Sequence, residues 1–282
     1  MVWLLLGILG LQGIEAATLG VGAAEESKKI RLPKVTLSPY EPSYLLASYT
    51  QPINRMAWQS MRRYAAGLRP QEIKFQFSGT FPILEGIGGG NSWLGFSYTQ
   101  CAWWQAFSAA ISSPFREINY QPQLFIGWHP DRWLADWRLS HVEVGLNHHS
   151  NGRSQFASRS WNRLYARFIF QHGPWKIDWK PWYRLPEGAE DDNPDISRYL
   201  GHYQLQISYR FAQRCYCYLK HHYHWHSGYG GCELGGYYPF TPILQLYWQW
   251  FTGYSESLID YNFRQSRLGI GLRVNWRPAA ES

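Results

Sequence analysis

Residues 147–165 read NHHSNGRSQFASRSWNRLY. His148 stands two residues before Ser150, and Asn162 follows across a short polar segment. A serine hydroxyl becomes a good nucleophile when a neighbouring base takes its proton. Side chains at i and i+2 of a strand project from the same face, so His148 is a base within reach of Ser150. The imidazole then needs an acceptor on its other nitrogen to hold the right tautomer, and the Asn162 amide oxygen can serve. An acyl transfer also needs donors for the oxyanion, and Gly152, just past the serine, offers a backbone N–H. The surrounding loops are rich in hydroxyls, with Ser112, Ser113, Ser154 and Ser158. Hydroxyls, main-chain carbonyls and water are hard oxygen ligands suited to calcium. By itself a His-x-Ser pair also suits a polar loop with no chemistry, and on these residues alone both readings stand.

The elements that must hold these groups read as β-strands. Aromatic residues make up 18% of the 282, including 16 Trp and 20 Tyr, while the mean hydropathy is only −0.40. No stretch after the N-terminus approaches the ~20 apolar residues of a membrane helix. An outer-membrane barrel fits this composition, because its strands alternate apolar and polar residues; a soluble all-β protein remains the alternative. Strand-like segments recur at 42–51, 71–82, 92–102, 115–127, 133–149, 160–171, 174–183, 202–211, 214–226, 230–240, 243–253 and 265–276. We therefore expect a transmembrane antiparallel β-barrel of about twelve strands, an even number that closes and leaves no unpaired edge in lipid. Alternation assigns the faces. In 160–171, Asn162, Leu164, Ala166, Phe168 and Phe170 face lipid, while Arg163, Tyr165 and Arg167 face inward. In 133–149, Val142, Val144 and Leu146 lead to His148 and Ser150 on the lipid face. The three candidate groups thus share the outer wall near one rim. With both termini periplasmic, the loops at 103–114, 151–159 and 184–201 open on the extracellular side.

The remaining segments have simpler readings. MVWLLLGILGL followed by GIEAATLGVGAA reads as a signal peptide over 1–23, without the usual basic residue in front; cleavage after Ala17 or Ala23 is compatible. Residues 24–41 are polar and proline-bearing and read as an N-terminal periplasmic arm; 42–276 form the barrel and 277–282 a C-terminal tail. The net charge is +7, but the Lys and Arg are spread singly, without the basic run or stacking motif of a nucleic-acid binder. Cys101, Cys215, Cys217 and Cys232 lack zinc-ligand spacing. Cys215 and Cys217 share a face with Leu219 as small apolar residues, and a Cys217–Cys232 bridge across a hairpin is the alternative in an oxidising compartment. His222, His224 and His226 share a strand face, as a polar lumen wall with Tyr223 and Trp225 outside, or as a transition-metal row.

The motif NHHSNGRSQFASRSWNRLY closely resembles the active-site signature of the outer-membrane phospholipase A family. YTQCAWWQ (98–105), SSPFREINYQPQLF (112–125), KPWY (180–183), DDNPDISRY (191–199), SGYGGCELG (227–235) and GYSESLIDYNF (253–263) resemble further family segments in family order. The resemblance runs from about residue 38 to the end. It implies a twelve-stranded barrel in the bacterial outer membrane that hydrolyses acyl ester bonds of glycerophospholipids and lysophospholipids. Ser150 would be the nucleophile, His148 the general base, Asn162 the orienting amide and Gly152 an oxyanion donor. Calcium, one ion per active site, would be bound by Ser158, the Arg153 main chain, Asp192 and Ser112 from the partner subunit. The enzyme would be active as a homodimer and resting as a monomer, with Gln100 as a polar dimer contact. Gln155 stands where many relatives carry Asp, and His149 where an acidic residue is often found. By parity His149 faces inward. The alternative from another class is a non-enzymatic pore or structural barrel that kept the scaffold.

Overall fold

A computed structural model describes residues 30–87, 91–188, 191–211 and 215–275. The expected signal peptide over 1–23 and the tail over 277–282 lie outside the described residues. The strands are β1 (Tyr44–Gln51), β2 (Gln71–Glu85), β3 (Ser92–Trp104), β4 (Phe115–Trp128), β5 (Arg132–Leu134), β6 (Trp137–Ser150), β7 (Ser160–His172), β8 (Trp175–Leu185), β9 (Tyr203–Phe211), β10 (Cys215–His224), β11 (Tyr229–Pro239), β12 (Leu244–Gly253) and β13 (Gln265–Val274). Sequential neighbours pair antiparallel, β1 also pairs with β13, and a β4–β6 pairing closes the circle. β5 pairs with β6 from Arg132↔Leu139 to Leu134↔Trp137, in continuation of the β4–β6 ladder that reaches Trp128↔Val142, so β4 and β5 count as one interrupted strand and the barrel has twelve strands. The strand expected over 133–149 is therefore corrected. Asp131, at the break between β4 and β5, and Ala135, in the turn between β5 and β6, take positive φ, so residues 133–134 belong to the preceding arm of the hairpin and β6 starts at Trp137.

The burial pattern is inverted relative to a water-soluble core. Glu72, Glu143 and Arg267 are wholly buried, while Leu268 is 60% exposed, Ile270 58% and Leu146 53%. Such a pattern suits a chain whose solvent on the outside is hydrocarbon. No helix among the described residues is long and apolar enough to cross a membrane; the crossing elements are strands. Inside, charges are paired, as burial requires. Arg116 bridges Glu72 and Asp260, each at 2.6 Å. Lys74 and Arg267 both hold Glu256, at 2.8 and 2.5 Å. Asp260 and Glu256 belong to the β12–β13 loop, which these pairs pin inside the lumen. From the other end, Ser38 and Arg31 of the N-terminal arm bridge to β2, and the Tyr40 hydroxyl donates to Glu143.

All four cysteines are free thiols. Cys217 pairs with Gly236, whereas Cys232 pairs with His221. Four ladder positions separate the two sulfurs, roughly 13 Å at the rise of a strand, too far for a disulfide. The bridge entertained between them is thereby excluded. His222 lines the lumen beside Lys220 and Glu233, and Trp225, 80% exposed, meets the edge of Tyr223 on the outside at 5.0 Å. Among the described residues, no three His, Cys, Asp or Glu side chains are grouped to hold a metal ion.

Candidate active site

The β6–β7 ladder places His148 directly opposite Asn162 and Ser150 opposite Ser160. Each candidate is bracketed by inward-facing neighbours that are buried. Trp161 is fully buried, stands edge-on to Trp182 at 6.0 Å and is covered by the Arg163 guanidinium at 4.0 Å. Asn147 is also buried, and His149 points inward to accept a hydrogen bond from Trp161 Nε1 at 3.2 Å. These anchors fix the backbone, so period-2 alternation turns His148 and Asn162 to the outer wall. There His148 is exposed in line with Val144 and Leu146.

His148 Nδ1 lies 2.8 Å from Asn162 Oδ1. The Asn162 amide nitrogen donates to Glu187 Oε1 at 2.8 Å. A carboxylate only accepts, so the NH2 must face Glu187 and the oxygen must face His148. An amide oxygen also only accepts, so His148 carries its proton on Nδ1, which leaves Nε2 free as a base toward Ser150. Ser150 ends β6 on the same face. Its hydroxyl makes no hydrogen bond among the described residues, an arrangement that often tightens only when substrate is present. Gly152 sits at φ +62, a conformation that glycine adopts without cost. Its N–H has no acceptor among the described residues and it is exposed.

The loop between these strands is held by one side chain. Buried Asn151 accepts from the Arg153 and Arg159 backbone N–H groups at 3.3 and 3.0 Å and donates to the Ala157 carbonyl at 2.8 Å. The Arg153 side chain is committed elsewhere, to Glu117 at 3.2 Å and over the Trp58 ring at 4.6 Å. Its main-chain carbonyl stays with the loop. The Ser158 hydroxyl donates to the Asp192 carboxylate, so two of the expected calcium donors converge. A hydroxyl and a carboxylate are hard oxygen donors of the kind that suits a calcium ion. Ser112 makes no hydrogen bond to either of them among the described residues. It follows the turn Ala109–Ile111 at φ 63, exposed, with no side-chain hydrogen bond among the described residues. Gln100 lies on the outer face of β3, and the Tyr98 hydroxyl donates to its Oε1 at 3.0 Å. An apolar groove leads away from His148 and Asn162, lined by Phe96, Pro122, Leu124, Leu146 and Leu185.

Three residues of this site escape a reading of the sequence: Asn151, Glu187 and Asn193, whose Oδ1 accepts from the Ser160 N–H at 2.9 Å. Asn151 carried a weak signal as a turn-forming residue at a strand end. Glu187 carried none, because its partner is 25 residues away in the chain.

These features define a closed antiparallel β-barrel of the outer-membrane kind, with a histidine–asparagine pair and a nearby serine on its outer wall. The family model for Phospholipase A1 matches residues 22–274. Phospholipase A1 of Escherichia coli K12 is 50% identical over 240 residues, 85% of this chain and 82% of that protein. A solved outer-membrane phospholipase dimer of Salmonella typhi, with bound calcium, is 49% identical and superposes with a TM-score of 0.82 over 85% of this chain and 92% of that one. An active-site mutant of outer membrane phospholipase A from Escherichia coli, in which an asparagine is replaced by alanine, is 50% identical with a TM-score of 0.82 over the same shares, 85% and 92%. The chain belongs to the Phospholipase A1 family, and it is a phospholipase of the bacterial outer membrane.

Proposed function

We propose that this chain hydrolyses the acyl esters of glycerophospholipids and lysophospholipids in the outer leaflet, through Ser150, His148 and Asn162 on its lipid-facing wall. The observation that carries the reading is the His148–Asn162 hydrogen bond at 2.8 Å on the outer face. A hydrolytic pair facing hydrocarbon makes sense when the substrate is lipid. The groove past Phe96, Leu124 and Leu146 suits an acyl chain. The ester can then reach Ser150 without leaving the membrane. Ion pairs and the β12–β13 loop cross the lumen, which speaks against a diffusion pore.

The chemistry follows from the residues. Ser150 Oγ attacks the ester carbonyl carbon while His148 Nε2 takes its proton. The carbonyl oxygen gathers charge and is met by the Gly152 N–H. When the tetrahedral intermediate collapses, His148 returns the proton to the departing alcohol oxygen and an acyl-serine remains. Water then attacks the acyl-serine, with His148 as base again, and the fatty acid leaves. Asn162 keeps the imidazole in its tautomer without placing a charge at the hydrocarbon boundary.

Ser158, the Arg153 carbonyl, Asp192 and the partner subunit's Ser112 would hold calcium. When bound, the ion supplies positive charge close to the developing oxyanion. The relative solved as a calcium-bound dimer supports calcium as the cofactor and the homodimer as the active form. Gln100 is the proposed polar contact between protomers. Its NH2 is left free by the Tyr98 hydrogen bond, and a polar amide among apolar wall residues gains from a partner.

Refolded protein mixed with phospholipid micelles should release fatty acid in calcium, and should stop in chelator. Ser150→Ala should abolish release while leaving the barrel folded. Release that persists in Ser150→Ala would overturn the assignment of the nucleophile.

A further inference from the structure

The catalytic pair does not end at Asn162. Its amide nitrogen reaches Glu187, which lies two residues beyond β8 in the β8–β9 loop. Glu187 is half-buried. The loop that carries it is anchored independently: Arg184 grips Asp191 with one nitrogen at 2.7 and 2.6 Å and holds the Pro194 carbonyl at 2.7 Å. The same loop touches the β6–β7 side at three points in succession, through Ser158 to Asp192, Ser160 to Asn193 and Asn162 to Glu187.

We propose that Glu187 is a positioning residue for the acyl-transfer site: its carboxylate locks the rotamer and the amide orientation of Asn162, and through them the tautomer of His148. The proposal rests on the triad reading given above. The physical argument is one of acceptors and donors. A lone asparagine beside a histidine presents its oxygen or its nitrogen with similar ease, since the two ends of the amide have nearly the same shape. With the nitrogen turned toward His148, the imidazole would have to accept on Nδ1 and carry its proton on Nε2, and it could not serve as a base toward Ser150. An acceptor-only carboxylate on the far side removes that state. A charged acceptor also forms a stronger hydrogen bond than a neutral one. It further polarises the amide, making Oδ1 a better acceptor from the imidazolium that forms during the reaction.

Standing beyond the end of β8, Glu187 places a carboxylate behind the amide but outside the hydrocarbon, where a carboxylate beside His148 itself would be costly. Burial raises its carboxyl from the ordinary glutamate value, and Asp191 adds to this; Arg184 and Asn162 pull the other way. Asp191 from the loop and Arg184 from β8 are the charged groups that face it; Asn162 acts through its hydrogen bond.

The test is a mutant cycle on the dimeric, calcium-loaded enzyme, with heat-dependent mobility in detergent gels to verify a folded barrel. Glu187→Ala should lower kcat by roughly tenfold, less than the ~10²-fold or more that loss of the general base itself costs, with KM within about twofold. Glu187→Gln keeps an acceptor oxygen and should restore more than half of the lost rate. In an Asn162→Ala background, Glu187→Ala should cost nothing further, because the residue acts through that amide. A kcat in Glu187→Ala equal to that of the unaltered enzyme would overturn the proposal. So would an equal loss in both backgrounds, which would mark Glu187 as a loop anchor. Ser150→Ala is assayed alongside. If it keeps activity, the triad reading falls and this role falls with it; if it is inactive while Glu187→Ala is indifferent, only the role of Glu187 is lost.

Discussion

At the scale of single residues, the site works by pairing groups that have no choice. The Glu187 carboxylate can only accept, so Asn162 turns its NH2 toward it; the amide oxygen can only accept, so His148 donates from Nδ1. In the proposed triad, a neutral amide takes the place of the buried aspartate of soluble serine hydrolases. That substitution follows from position, since Asn162 and Leu164 share one outer face. His148→Ala should lower kcat by about 10²-fold or more, the contribution of a positioned base, with KM little changed. Asn162→Ala should lose less, because the amide orients the base and takes no proton. Steady-state kinetics on short-chain phospholipid micelles measures both, and a greater loss in Asn162→Ala than in His148→Ala would contradict the assigned roles.

At the scale of elements, loops hold the wall in shape. The β12–β13 loop carries Glu256 and Asp260 down to Lys74, Arg267 and Arg116. Burial alone would raise the Glu256 carboxyl, but Arg267 and Lys74 outweigh it and hold it below the ordinary glutamate value. The pairs therefore stabilise the folded chain in full above the unfolded value, ~4.3, and the contribution is lost as pH falls through the lower folded value. Glu256→Gln strands buried Lys74 and leaves Arg267 with Glu233 alone, and should cost about 3 kcal/mol near neutral pH. The gap between it and the unaltered protein should narrow as pH drops below about 4. Urea unfolding in micelles at neutral and acid pH reads this, and a gap independent of pH would show that Glu256 is not what holds the loop.

At the scale of the whole molecule, the proposed site makes the outer wall both membrane surface and workplace. Ser112 stands exposed, without a hydrogen bond to Ser158 or Asp192 among the described residues, which suits the proposed calcium site completed by a second copy. In the proposed mechanism, assembly would gate activity. Gln100→Ala should weaken dimerisation by about 1 kcal/mol, the order of a polar contact in membranes, or roughly fivefold in the dissociation constant. Activity at limiting protein should fall in parallel. Sedimentation equilibrium in detergent with calcium, beside activity on the same samples, measures the link. Full activity in a monomeric Gln100→Ala protein would break it.

What the sequence alone determined is whatever depends on local periodicity. Alternation along 133–149 and 160–171 was enough to set His148 and Asn162 on the outer wall, because a strand has only two faces and each residue must take one. The barrel was legible for the same reason, from polar residues facing a lumen and apolar residues facing out. The turn between Arg132–Leu134 and β6 was not legible, since three residues have too short a period to distinguish them from the start of β6. Nor was the distance between Cys217 and Cys232, because register depends on the turn that joins two strands and not on either strand. Only the tertiary structure could bring Glu187 to Asn162, Asp192 to Ser158, and Asp260 to Arg116 across 144 residues. These contacts run between loops and walls that meet when the barrel closes. Hydrogen bonds and ion pairs act over a few ångströms, and no spacing along the chain encodes which distant groups closure will bring within that reach.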